Sequence, residues 1–195
     1  MTLFHRVVTV FGLSVAQITQ LPVVGLAQTA ENFTDSDDVA RLSVLFDRLR
    51  EPGEGWRLAE AEIVQIWSRS GSAAMDLLLK RGVEALDAGE VGTALFHLSA
   101  LTDHAPGFAE GWAARGSAHA AAGSFGLAAA DLARALALEP RHFIALTQLC
   151  AMLDQMEAAA RAEAACTASL AIHPHQQEAI DILSRLRLRR DGMIL

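Results

Sequence analysis

GWAARGSAHAAAGSFGLAAADLARALALEP, residues 111–140, decides how this chain is read. Its punctuation returns at a fixed interval on either side. Pro106, Pro140 and Pro174 lie 34 residues apart, and Ala94, Ala128 and Ala162 keep the same step. Gly82 and Gly116 continue into Cys150; Gly89 and Gly123 continue into Glu157. Self-similarity at this interval describes helix pairs stacked into an array. A single pair leaves one apolar face bare, and only the next pair covers it.

The spacing predicts helices over 73–87, 91–104, 107–121, 125–138, 141–155 and 159–172. Gly89 and Gly123 fall in the turns within repeats, where a residue of positive φ ends a helix. Each proline stops one helix and opens the next. Composition agrees: alanine and leucine dominate, tyrosine is absent, and alanine loses no side-chain entropy on ordering. No run of alternating Val, Ile and Thr argues for a strand.

Upstream of the array, Val39, Leu42, Leu45, Phe46 and Leu49 recur at helical spacing behind a cap near Ser36, with Asp37 and Asp38 at the positive end. Glu51-Pro52-Gly53-Glu54-Gly55 breaks the pattern. A second helix follows with Leu58, Ala59, Ile63, Ile66 and Trp67 as its stripe, ending near Gly71. Projected back one period, the Gly, Ala and Pro slots hold Arg48, Glu60 and Ser72. The hairpin over 36–72 therefore reads as an N-terminal cap or a decayed repeat. A last helix, about 175–190, carries Ala179, Ile182, Leu183, Leu186 and Leu188 and should cover the open end of the array.

The first 27 residues have the layout of a secretory signal. Arg6 precedes an apolar run, Val7 to Ala16, and Gly25-Leu26-Ala27 places small residues at a cleavage point after Ala27. Gln17, Thr19, Gln20 and Pro22 make the run too short and polar for a good membrane span; an uncleaved anchor is the competing reading. With no Cys near the cleavage point, a lipoprotein anchor is excluded. Export to a periplasm is expected, with residues 28–35 as a disordered start. The formal net charge is −7 and Lys80 is the sole lysine. Nucleic acid is not an expected partner, because it requires a basic face.

Slot by slot, the period resembles the tetratricopeptide repeat, W-x2-L-G-x2-Y, then A-x3-F, then P. Trp112, Gly116, Ala128, Leu132 and Pro140 fill the second repeat; Leu78, Gly82, Ala94, Leu98 and Pro106 the first; Leu146, Cys150, Ala162, Cys166 and Pro174 the third. Arg81 and Arg115 depart from the Leu slot, and Ala85, His119 and Leu153 from the Tyr slot. The wider arrangement, with Trp67 to Ser72 ahead of Leu77-Leu78-Leu79, is similar to small exported repeat proteins of alphaproteobacteria. The resemblance implies an all-α fold, a right-handed α–α superhelix of three repeats at 75–108, 109–142 and 143–176. A hairpin cap would precede it, and a capping helix and tail, 177–195, would follow.

The resemblance further implies that the first helix of each pair lines a concave, protein-binding face. The carried-over positions are Asp76, Leu79, Val83, Leu86 and Asp87; Glu110, Ala113, Ser117, Ala120 and Ala121; and Ile144, Thr147, Ala151, Asp154 and Gln155. Family members that grip acidic C-termini use a Lys/Asn/Arg clamp. Here Leu79, Val83, Ala113 and Ser117 occupy clamp slots. The expected partner is a protein or peptide segment, apolar or amphipathic, and not an acidic C-terminal tail. Alternatively the face is filled by the chain's own cap or by a second copy.

Candidate chemistry is sparse. The resemblance sets the Gly slot against the Ala slot, so Cys150 is expected to face Ala162, one turn before Cys166. Two buried thiols are favoured over a disulfide. His173 and His175 flank Pro174, and a surface role is favoured over a metal site, since two ligands are too few. His119 is read as a packing residue. The arginines of the last helix are read as a solvated face, with an anionic lipid or acidic partner as the alternative. No phosphate loop, nucleophile elbow or zinc motif is present. No cofactor, metal or catalytic residue is expected.

Overall fold

The structure, a computed structural model, describes residues 36–192; the expected leader (1–27) and polar start (28–35) lie outside the described residues. Those described form nine helices and no strand: α1 (Ser36–Leu49), α2 (Trp56–Trp67), α3 (Ala73–Asp87), α4 (Val91–His104), α5 (Ala109–Ala121), α6 (Phe125–Leu138), α7 (Phe143–Gln155), α8 (Ala159–Ile172) and α9 (Gln177–Arg190). α3 to α8 follow each other as antiparallel neighbours. α3, α5 and α7 lie side by side along one face, giving the expected all-α solenoid.

The turns repeat as closely as the helices. Gly89, Gly123 and Glu157 all have positive φ, at 76°, 71° and 58°. After each, the following N–H reaches back to the last helical turn: Glu90 to Ala85 O (2.8 Å), Ser124 to His119 O (2.8 Å) and Ala158 to Leu153 O (2.9 Å). That bond satisfies a carbonyl the helix end would leave unpaired. Between repeats, α5, α7 and α9 start later than the spacing predicted. The chain first makes a turn there, with N–H bonds from Phe108 to Ala105 O, His142 to Glu139 O and Gln176 to His173 O.

Within each pair the helices touch where a small residue meets a large one. A Cβ on Gly82 would lie 2.5 Å from Leu98 Cγ, and one on Gly116 would lie 3.0 Å from Leu132 Cγ. The Gly slot thus meets the side chain sixteen residues on, with the Ala slot's backbone beside it: Ala128 O would lie 3.4 Å from the Gly116 Cβ. This corrects the cysteine reading. In the third pair the facing positions are Cys150 and Cys166, and they form a disulfide with Cα atoms 5.2 Å apart. The bridge occupies the space that glycine and leucine share in the first two pairs. Ala94, Ala128 and Ala162 are fully buried beside these crossings.

Arg115, which departs from the Leu slot, has a structural role. Its guanidinium holds both Asp131 oxygens (2.7 and 2.8 Å) and donates to Thr102 Oγ1 at 2.6 Å. It thereby ties α4, α5 and α6 together. The Asp131 carboxylate raises the Arg115 pKa above its ordinary value. α9 lays Ala179, Ile182, Leu183 and Leu186 over the third pair; Leu188, counted in its stripe, is 39% exposed. Its arginines are not a merely solvated face: Arg185 and Arg189 pair with Asp154 of α7, and Arg187 and Arg190 with Glu163 of α8.

The first hairpin corrects another expectation. Leu42, Leu45, Phe46, Leu49, Ala59, Ile63, Ile66 and Trp67 form its core, which closes on Phe143, with Ile144 and Ile172 packed alongside. It therefore lies along the edge where the repeats are joined, against the start of α7 and the end of α8, rather than end-on over α3. Arg48 and Glu60 sit where a repeat needs small residues, so the hairpin cannot pack closely as one more pair. Its tryptophans instead find the aromatic turns. Val39 and Leu58, expected in its stripe, are 55% and 79% exposed.

Candidate functional site

The fifteen positions expected on the concave face separate into groups with different roles. Leu79, Ala113 and Thr147 are buried within their helices. Leu79 belongs to the core of the first pair and Ala113 to that of the second. Thr147 Oγ1 is 2.8 Å from Ser169 Oγ, which also donates to Phe143 O. These three side chains are packing groups with no surface to offer a ligand.

A second group is tied up near the helix ends. Asp76 Oδ1 accepts from the Ser70 N–H (2.7 Å) and hydroxyl (2.6 Å), fixing the link that leaves α2. Glu110 Oε2 lies 3.0 Å from His142 Nε2. Asp154 is held by Arg185 and Arg189. Ile144 packs against the hairpin. Glu110 and Asp154 are half-buried and already paired, which leaves the face with less free acidity than its composition implies.

The third group is open. Ser117, Ala120, Ala121, Ala151 and Gln155 converge on a groove of about 380 Å³ between α5 and α7, closed below by Gly116, Leu132 and Met152 and at one side by Gln148 and Glu178. Val83 and Asp87 on α3 are exposed and Leu86 is half-buried, and they continue this strip of first helices. The lining is small and apolar for a simple reason: residues with short side chains on α5 and α7 leave the space that large ones would fill. No Lys or Arg lines the groove, and its one carboxylate is Glu178.

Sequence spacing did not find the aromatic and histidine cluster at the repeat edge. His173, expected at the surface, is fully buried. Its ring meets Trp56 (5.4 Å) and Phe143 (4.9 Å), while His175 stacks on Trp56 at 5.0 Å. His142, also fully buried, stacks on Trp67 at 4.4 Å. The available signal was that both histidines sit in inter-repeat turns, next to Pro140 and Pro174, where a solvated array would place polar residues. His119 is half-buried, with Nε2 3.8 Å from Asp131. Among the described residues no group of three or more His, Cys, Asp or Glu is placed to hold a metal, and no helix is long and apolar enough to cross a membrane.

Comparison with known proteins bears on this geometry. No family model matches the chain. A TPR repeat-containing protein of Rhizobium etli is 32% identical over 117 residues, 58% of this chain and 57% of the relative; the chain thus spans little more than half of that protein's length. Among solved structures, the first TPR of Spaghetti (RPAP3) bound to the HSP90 peptide SRMEEVD is 20% identical. It has a TM-score of 0.58 and covers 62% of this chain and 95% of its own. The TPR2B domain of yeast Sti1 in complex with an Hsp70 peptide is 18% identical, with a TM-score of 0.56, covering 60% of this chain and 99% of its own. At these identities the likeness is one of fold.

Proposed function

We propose that this chain, a tetratricopeptide-repeat protein by fold, is a non-catalytic scaffold that holds an apolar or amphipathic segment of a partner protein in the groove between α5 and α7. The observation that carries the reading is the groove's lining: mostly small or apolar side chains, with Ser117, Gln148 and Gln155 among them, one carboxylate and no cation. Two similar folds are described with HSP90 and Hsp70 peptides bound, which supports peptide binding as the use of such a face. An acidic tail would find no cation lining this groove and would meet Glu178, since Arg185 in the adjoining hollow is already paired with Asp154; buried area does not repay that cost. Preorganisation supplies affinity, because helices fixed on both sides by packing lose little freedom when a ligand arrives.

The same reading places the protein in a periplasm. The leader layout supports export, and the Cys150–Cys166 bridge fits an oxidising compartment. Self-association is the second reading. The hairpin and the link that follows it engage Ile144 and Asp76 of these positions and leave the groove clear, so a second copy is the remaining way to fill it.

Titration with a peptide panel tests the proposal. Amphipathic helical peptides are expected to bind, the SRMEEVD peptide not to, and Ala151→Trp, which fills the groove, to weaken binding at least about tenfold. Binding of the acidic peptide alone, or of no peptide beside a stable dimer in light scattering, would overturn it.

A further inference from the structure

We propose that the α1–α2 hairpin is an acid-released element. Two buried histidines form its docking contact, and acidification lifts it from the repeat edge while the array stays folded. The geometry of the contact is the basis. The hairpin meets the array through rings and a few polar groups rather than through a deep helix–helix seam. Trp56 rests on His173 and His175, Trp67 on His142 and Phe143, and Arg141 lies 4.1 Å over the Phe46 ring. The polar part is thin: Gln176 Nε2 donates to Glu60 Oε1 at 3.2 Å, and His175 Nε2 lies 3.3 Å from Glu51 O.

Each histidine accepts a backbone N–H on its Nδ1. His142 Nδ1 accepts the Ala145 N–H at 3.2 Å, so its proton sits on Nε2 and points to Glu110. His173 Nδ1 accepts the His175 N–H at 3.4 Å. Its Nε2 is buried without a hydrogen-bond partner, 3.5 Å from Glu60 Oε1. The charged and titratable groups facing this contact are Glu60 and Arg57 from α2, His175 from the last turn, Arg141 and Glu139 from the turn before α7, and Glu110 from α5.

The sign follows from His173. Burial, and then His175, push its pKa down to about 4, whereas a ring released into water titrates near 6.5. Above about pH 6.5 both forms are neutral and the contact has its full strength. As pH falls from there towards about 4, the released form gains a proton that the docked form refuses, and docking weakens. Burial raises the Glu60 pKa, so protonation of Glu60 favours docking and opposes the histidine. Glu60→Gln removes that opposing effect and leaves the histidine's alone. The array has cores of its own that contain no hairpin residue, so most of its packing is separate from the docking contact. Release uncovers Phe143 and Ile144, the latter at the end of the concave face, and lengthens the apolar strip there. The inference concerns the hairpin and stands whether or not the groove binds peptide.

Hydrogen exchange read by mass spectrometry, corrected for intrinsic rates, at about pH 7 and about pH 5 tests it. The expected result is a loss of protection of at least about tenfold confined to residues 40–66, with 79–186 unchanged. His173→Phe, which keeps a ring and removes the titration, should abolish the loss; Glu60→Gln should retain it. Equal hairpin protection at both values, or hairpin and repeats opening together, would overturn the proposal. If His173→Phe does not fold, the parent's exchange pattern decides.

Discussion

Glu157 shows at the scale of one residue what the repeat demands and what this chain tolerates. It stands where Gly89 and Gly123 stand, with the same positive φ, and keeps the backbone bond from Ala158 to Leu153 O at 2.9 Å. A side chain in that region costs roughly 1–2 kcal/mol, and glycine's extra chain entropy returns about half of that. Glu157→Gly is therefore expected to stabilise the fold by about 1 kcal/mol in urea unfolding; a destabilised variant would show that Glu157 makes a contact worth more than its strain. This residue was legible in the sequence, because the 34-residue step lands on it. What faces the Gly slot was not. Periodicity says which positions are equivalent, but it is silent on which of them meet across a crossing, and so Cys150 was set against the wrong neighbour.

The disulfide belongs to the scale of helix pairs. Closing sixteen residues of chain restricts the unfolded state by about 3 kcal/mol in the loop-entropy account. Replacing both cysteines by alanine should lower stability by that order. Cys150→Gly combined with Cys166→Leu restores the pairing seen at Gly116 and Leu132 and should recover part of the loss, measured by thermal unfolding. A double alanine variant as stable as the parent would mean the bridge adds nothing to the packing around it. The six repeat helices were legible because proline marks the boundary between repeats, and glycine or, in the third, Glu157 marks the turn within each. The hairpin was legible as two helices but not as to place. Its partners, Phe143 and His173, are about a hundred residues away, and no local period encodes a contact of that separation. Leu58 and Val39 were misassigned for the same reason: a stripe at helical spacing names a face only when the covering surface is known.

For the whole molecule, the account is of an array held open on one face. α9 and its ion pairs close one end, the hairpin occupies the joined edge, and the groove between α5 and α7 stays clear. Of the carried-over positions, Ser117, Ala120, Ala121, Ala151 and Gln155 line that groove. Leu79, Ala113 and Thr147 were included because a slot fixes a position on the helix and not how deeply the next helix buries it. The most direct measurement is amide chemical-shift mapping on the isotope-labelled protein with an amphipathic helical peptide and, separately, SRMEEVD. The account predicts shifts centred on those five residues with the first peptide and none there with the second. Shifts confined to α4, α6 and α8, or a response of the groove to the acidic peptide alone, would contradict it.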